Sequence, residues 1–312
     1  MSEIVALASY EEGANSLFLN SNFKEVLQGV RQGQKSARET ILLVRSMLGL
    51  IACIQRHRGA TMALLGGDDR FAERMPPLQK EIALRIDLLM LEPDEVIEAV
   101  DKQNVIGAWK TISHNWQDDA VLENFEYHSH LIEYLLRMLR GKGDIIVQHF
   151  NLFAELLNDP LAIKVISQLN ALACTSIPDC FELLAKLRGL ATHAAASHKC
   201  DSFTKGRMDF SLKELNRLTA KMDLLIHDLD EPLQKYLIPG NELAQAKVKR
   251  DYLTHLLSND IIEGVSITVD SEMIYRVTTE IIDTYYAFSE KLLTHIENQL
   301  PTLVNRCLGV MG

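Results

Sequence analysis

Two Arg-Gly steps, Arg58-Gly59 and Arg188-Gly189, are the residues best suited to chemistry in this sequence, and that chemistry is anion binding. Around them the chain echoes itself. Ile51–Ala63 aligns with Phe181–His193, each an apolar helical turn followed by Arg-Gly and small residues. Glycine inside a helix costs about 1 kcal/mol relative to alanine, so its presence points to close packing or a ligand. The small residues Gly59-Ala60-Thr61, Ala191-Thr192 and Ala194-Ala195-Ala196 let helices approach closely. An arginine held at such a contact is partly dehydrated and needs an anion or carboxylate partner. Guanidinium offers a planar fork of donors that matches a planar oxyanion. Arg56 lies two residues before Arg58 and points roughly 200° away from it on a helix, so the two cannot serve one site equally. The alternative is plain: Gln55-Arg56-His57-Arg58 as an exposed basic strip, or each arginine in an ion pair.

Other constellations offer less. His193-x4-His198-x-Cys200 is the nearest approach to a metal cluster. Its two histidines are about 140° apart on a helix, which favours a structural or exposed role over ligation. No Gly-x-Ser-x-Gly, Walker-type loop or dinucleotide-binding glycine pattern occurs. Glu123–His128 and Asp223–His227 lack the Glu-x-x-His spacing of di-iron bundles. Neither catalytic residues nor a metal or other cofactor are expected, and the chain does not read as an enzyme. The acidic groups Asp94-Glu95, Asp118-Asp119 and Asp228–Glu231 read as helix starts and solvated loops. Trp109, Trp116, Tyr285 and Tyr286 read as core or interface residues.

The elements that must position these side chains are helices. The chain has 312 residues, with 47% apolar and 24% charged side chains and a formal net charge of −10. That length suffices for a large core without staples, and the acidic balance argues against non-specific nucleic-acid binding. Five unpaired-looking cysteines, the absence of a basic leader and the absence of an apolar run of membrane-spanning length suit a soluble, cytoplasmic protein.

Apolar residues recur at helical steps in Leu122–Leu139, with Ser129 filling one slot, and again in Ile281–Ile296. The spacing predicts an all-α fold of two antiparallel four-helix bundles packed together and joined through long helices. A helix from near Gln34 ends at Gly66–Asp69, and Pro76-Pro77 and Glu92-Pro93 open others. Breaks are expected at His114–Gln117, Gly141–Gly143, Asn158–Pro160, Ser176–Pro178, Lys199–Arg207, Pro239-Gly240 and Glu263–Asp270. Ser211 and Glu214 read as a capping box for a helix running to His227. The expected organisation is a helical extension over 1–34, an all-helical domain over 35–300 with halves of about 35–170 and 178–300, and a tail over 301–312.

Three segments resemble one family. Arg56-His57-Arg58-Gly59-Ala60-Thr61 is similar to the first-helix signature of nitrate- and nitrite-sensing NIT domains, where Gln, Arg, Gly and a small residue recur in this order. Leu187–His193 offers a second arginine, and Ile274–Asp283 resembles the family's closing helix with its aromatic, Thr and Ile-Asp positions. The resemblance spans about residues 35–298. It implies two helical bundles with an arginine-lined nitrate or nitrite site between them, held by Arg58 and Arg188. Arg250, in a late helix, is implied as a third contributor, and Arg56 is a reserve. The chain departs from the family at His57, where an acidic residue is common, and lacks the family's late Glu-Arg-Ala run.

The expected function is therefore signal sensing: nitrate or nitrite binds and a conformational change passes to a regulatory partner controlling nitrate assimilation or respiration. The residues after the last predicted helix are too few for a fused output, so either an antiterminator or kinase on another chain is expected or the sequence is a sensor fragment, with a homodimer compatible. No direct nucleic-acid or membrane partner is expected. The competing readings are an all-helical adaptor without a small ligand, and a sensor of a small carboxylate.

Overall fold

The computed structural model describes the backbone of residues 2–238 and 240–311, and side chains over 27–238 and 240–309. All regular elements among them are helical, as the periodicity predicts. They are α1 (Ser2–Leu65), α2 (Met75–Met90), α3 (Ala99–Ser113), α4 (Val121–Leu157), α5 (Pro160–Ala171), α6 (Ile177–Ser197), α7 (Ser202–His227), α8 (Glu231–Leu237), α9 (Glu242–Leu256) and α10 (Ser271–Met311).

Helices α1, α4, α6 and α10 make the centre. Arg58 of α1 meets Glu182 of α6 while Gly66 meets His193, so α1 and α6 run parallel. Arg45 reaches Glu297 and Gly59 faces Tyr275, so α10 runs antiparallel to α1; Gly33 against Phe153 and Arg58 against Ser129 show the same for α4. α2 and α3 flank α1 and α4, while α7 and α9 flank α6 and α10. One apolar cluster runs from Val30 to Cys307 through all four central helices, so the two halves of the chain share a core. The expected pair of bundles is not visible as two separate cores.

Several expected breaks are overruled by packing. α4 passes straight through Gly141–Gly143, because a Cβ on Gly143 would come 2.9 Å from Cys174 Cβ; this glycine serves contact rather than termination. α10 continues through Pro301, whose turn is held by buried Leu303, Val304 and Cys307, and the expected tail over 301–312 is helical as far as Met311. At Ser176–Pro178 the helix does not stop. A π turn at Leu172–Ser176 joins α5 to α6, and this local widening accommodates a proline that cannot donate to the preceding turn.

The resulting continuous helix, Pro160–Ser197, crosses the expected boundary between halves. It is also long and apolar enough, by length and composition, to cross a membrane, which the sequence reading did not anticipate. From Ile177 onward its apolar residues pack on other helices of the chain, and it carries buried Glu182 and Arg188.

Helix starts also move. α7 begins at Ser202, because Asp201 accepts a hydrogen bond from the Thr204 backbone N–H (2.6 Å); Ser211 is buried inside the helix. α3 begins at Ala99 rather than at Pro93, and the preceding loop is tied down by Lys102, which donates to Asp94 (2.7 Å). α1 has no start near Gln34, and Val30 already belongs to the core. The remainder of the expected extension, residues 1–26, lies outside the described side chains.

Candidate functional site

Where α1, α4, α6 and α10 meet, the core turns polar. Arg58 is fully buried and makes a bidentate pair with Glu182 of α6, Nη1 to Oε1 at 2.8 Å and Nη2 to Oε2 at 3.1 Å. Its Nη1 also donates to Ser129 Oγ of α4 (3.0 Å), and the guanidinium lies 5.1 Å from the centroid of the Phe125 ring. Gln55, one turn earlier on α1, donates to Glu182 Oε2 (2.8 Å). Ser129, the polar residue in an otherwise apolar stripe, is thus part of the arginine's cradle. A buried pair of this kind is costly to break, about 3–5 kcal/mol when one partner is removed.

Arg188 is buried to 1% exposure and has a different shell. Its Nη1 donates to Thr279 Oγ1 of α10 (2.8 Å), and its guanidinium lies 4.9 Å from the centroid of the Tyr275 ring. Nε and Nη2 have no hydrogen-bond partner, and no carboxylate among the described residues forms an ion pair with it. Burial lowers its pKa, and the neighbouring cations Arg58 and Arg56 push in the same direction. Nearby, Tyr286 stacks on Phe181 (ring centroids 4.2 Å apart), and its buried hydroxyl is likewise without a partner. Thr192 Oγ1, one turn beyond Arg188 on α6, and Arg58 Nε and Gln55 Oε1 on α1 are also without a partner.

The other two arginines fall differently. Arg56 sits half-exposed at the rim of the same seam, with Nη2 2.7 Å from Asp283 Oδ1. Arg250, on α9, is bonded to its neighbour Asp251 (3.1 Å) and adjoins Tyr285 and Cys180, away from Arg58 and Arg188. The expected pair Arg58 and Arg188, with Arg250 as third and Arg56 in reserve, is therefore not brought together around one open anion site. Arg58 already holds a carboxylate, Arg56 is ion-paired at the rim, Arg250 lies elsewhere, and Arg188 alone of the four is without a carboxylate. The seam holds three guanidinium groups and two carboxylates, Glu182 and Asp283, so one buried cation lacks a counter-charge.

Gly59 makes this arrangement sterically feasible. A Cβ there would come 2.9 Å from Tyr275 Cε2 and 3.0 Å from Arg188 Nε. Gly189 has no such role, since a Cβ would meet Phe125 at 3.4 Å and Met62 at 3.5 Å, which is ordinary contact.

Below Arg58 lies a histidine pair. His128 Nδ1 is 2.8 Å from the Asn124 carbonyl, which can only accept, so Nδ1 carries the proton and Nε2 accepts. His57 Nδ1, 2.7 Å from that Nε2, must then be the donor, and both rings are neutral. Burial holds His57 down at about 3 and His128 well below its ordinary value. The sequence reading missed Glu182, Gln55, Ser129, His128, Tyr275 and Thr279. The available signal was a lone carboxylate, Glu182, inside the apolar run Cys180–Leu184. His193 and His198 do not converge: each faces a different backbone carbonyl, of Met62 (3.2 Å) and Ile267 (3.3 Å). A surface groove of about 840 Å³ between α3 and α4 includes none of the four arginines.

Two predictions follow from these contacts. Gly59→Ala should destabilise by about 1–3 kcal/mol despite alanine's better helix propensity, whereas Gly189→Ala should stabilise by up to about 1 kcal/mol. Denaturant melts of both variants check this, and equal shifts would refute the packing argument. The second concerns pH. In the unfolded chain both buried histidines take up protons below about 6.5, but in the folded protein they do not, so stability is complete above that pH and falls as the solution is acidified toward 3. Each contributes about 1.4 kcal/mol per pH unit over the roughly 1.5 units below 6.5, so about 4 kcal/mol should be lost by pH 5. Denaturation midpoints at pH 7.5 and pH 5 measure it, and coincident midpoints would mean that the pair accepts protons in place.

Compared with protein-family models, with curated proteins and with solved structures, the chain matches none.

Proposed function

We propose that this chain is a signal-sensing protein that binds nitrate or nitrite at Arg188, in the seam between α1, α6 and α10. The observation that carries the reading is a guanidinium at 1% exposure with Nε and Nη2 unpartnered and no carboxylate paired to it. Leaving a cation dehydrated and unpaired is costly, and a monoanion relieves that cost by balancing the one uncompensated charge in the seam. Nε and Nη2 lie along one edge of the guanidinium, so they can donate side by side to two oxygens of a planar oxyanion. Exclusion of water makes each such bond stronger than on the surface.

The resemblance to NIT domains supports the same place. Its three segments, Arg56–Thr61, Leu187–His193 and Ile274–Asp283, meet at this seam through Gly59, Arg188, Tyr275, Thr279 and the Arg56–Asp283 pair. Arg188 is the donor in this reading, Arg56 a rim contributor, and Arg58 a positioning residue that anchors Glu182. Binding touches three helices at once, so a ligand that prefers one arrangement of α1, α6 and α10 shifts the balance by its differential affinity. A separate regulatory protein, an antiterminator or kinase, would read that shift.

An all-helical adaptor without a small ligand is the second reading. It is favoured by the Arg58–Glu182 and Arg56–Asp283 pairs, which satisfy two of the arginines within the chain.

Calorimetric titration of the protein with nitrate, nitrite, chloride and acetate separates the readings. Saturable binding of nitrate or nitrite is expected, weakened by about a hundredfold or more in Arg188→Gln, with chloride much weaker. Arg58→Ala should instead unfold or strongly destabilise the protein, because it strands Glu182. Saturation by acetate in preference to nitrate would reassign the ligand to a carboxylate, and no heat with any of the four anions would favour the adaptor.

A further inference from the structure

The two buried arginines are held by the same construction. Arg58, on α1, donates through Nη1 to the hydroxyl of Ser129 on α4. That hydroxyl donates to the carbonyl of Phe125 one turn earlier (2.8 Å), and the Phe125 ring lies against the guanidinium. Arg188, on α6, donates through Nη1 to the hydroxyl of Thr279 on α10. That hydroxyl donates to the carbonyl of Tyr275 one turn earlier (2.6 Å), and the Tyr275 ring lies against the guanidinium. In both, the arginine is followed by glycine, and α1 and α6 run side by side and parallel. The Arg-Gly echo in the sequence therefore extends to helices that the echo itself does not include. α4 stands to α1 as α10 stands to α6.

The correspondence is not complete: Gln55, which donates to Glu182, has Ala185 opposite it, and the larger difference is the counter-charge. Glu182 reaches from α6 to Arg58. Aligning Arg58-Gly59 on Arg188-Gly189 sets Glu182 opposite Ala52, which is half-buried on α1. The α1 position that corresponds to Glu182 thus has no carboxylate, and Arg188 keeps both Nε and Nη2 unpartnered where Arg58 keeps Nε alone. The group that fits there has the properties of the Glu182 carboxylate: planar, singly charged, with two coplanar oxygens. Nitrate, nitrite and small carboxylates share that chemistry. Chloride lacks the second acceptor, and sulfate carries one charge too many for a single uncompensated cation.

We infer that the chain carries one arginine site twice, completed at Arg58 by its own Glu182 and at Arg188 by a planar monoanion from solution, with Ala52 as the position that reserves the second copy for a ligand. This rests on the reading of Arg188 as the ligand donor.

Two reciprocal substitutions in the full chain test it. Ala52→Glu supplies the second carboxylate. Its melting temperature without ligand should rise toward that of the wild-type protein in saturating nitrate, and its nitrate affinity should fall by about a hundredfold or more. Glu182→Ala frees Arg58. This variant should be destabilised and then recovered by millimolar formate or nitrate, with a larger anion-dependent rise in melting temperature than wild type and two bound anions in place of one. Unaltered nitrate affinity in folded Ala52→Glu would overturn the inference, as would a Glu182→Ala protein that gains no more from formate than wild type does. If Ala52→Glu does not fold, the Glu182→Ala arm decides alone. Failure of the wild-type protein to bind any of these anions removes the reading of Arg188 itself, whereas wild-type binding that neither substitution alters removes only the duplication.

Discussion

Everything at the centre of this protein depends on the cost of burying guanidinium groups among apolar helices. Arg58 and Arg188 are among the largest fully buried side chains, and both sit where four long helices exclude water. A charge in that setting is tolerated only with a counter-charge and hydrogen bonds directed at it. Glu182, Gln55 and Ser129 meet the requirement at Arg58. At Arg188 only Thr279 and the Tyr275 ring do so, and the imbalance between the two is the main physical feature of the seam.

The surrounding fold enforces that imbalance. Gly59 allows the Tyr275 ring and the Arg188 guanidinium to lie directly against the α1 backbone. The neutral His57–His128 pair fixes α1 to α4 with a donor direction set by the Asn124 carbonyl, adding no charge beside Arg58. At the rim, the half-exposed Arg56–Asp283 pair links α1 to α10 where water still screens both groups, so it contributes far less than the buried pair. The gradient from fully buried pair to exposed pair leaves Arg188 as the arginine of this seam without a carboxylate.

The parallel course of α1 and α6 gives this arrangement its logic. Two equivalent arginines approach one seam from neighbouring helices, each braced by a hydroxyl and an aromatic ring on an antiparallel helix. A contact made at Arg188 bears on α1 through Gly59, on α6 through the arginine itself and on α10 through Thr279 and Tyr275. Such a position is mechanically central, in contact with three of the four core helices.

The sequence by itself determined the helical class and the stripes that face the core, because the side-chain period of a helix is local and is written in consecutive residues. Phe125, Ile132, Leu136 and Leu139, and Ile281, Tyr285, Phe288, Leu292 and Ile296, lie buried where that period puts them. It also singled out Arg58 and Arg188, since glycine inside an apolar helical turn is a local anomaly. Where helices stop was less legible. Gly143 and Pro301 lie within helices because contacts with distant residues outweigh local propensity, and Asp201 caps α7 ahead of the Ser211 signal. The chemical difference between the two arginines was decided only by tertiary structure. The counter-charge of Arg58 comes from Glu182, 124 residues away, and no local pattern encodes which of two similar arginines a distant carboxylate will reach. Electrostatic pairing depends on separation in space, which the chain acquires only when α1 and α6 come to lie side by side.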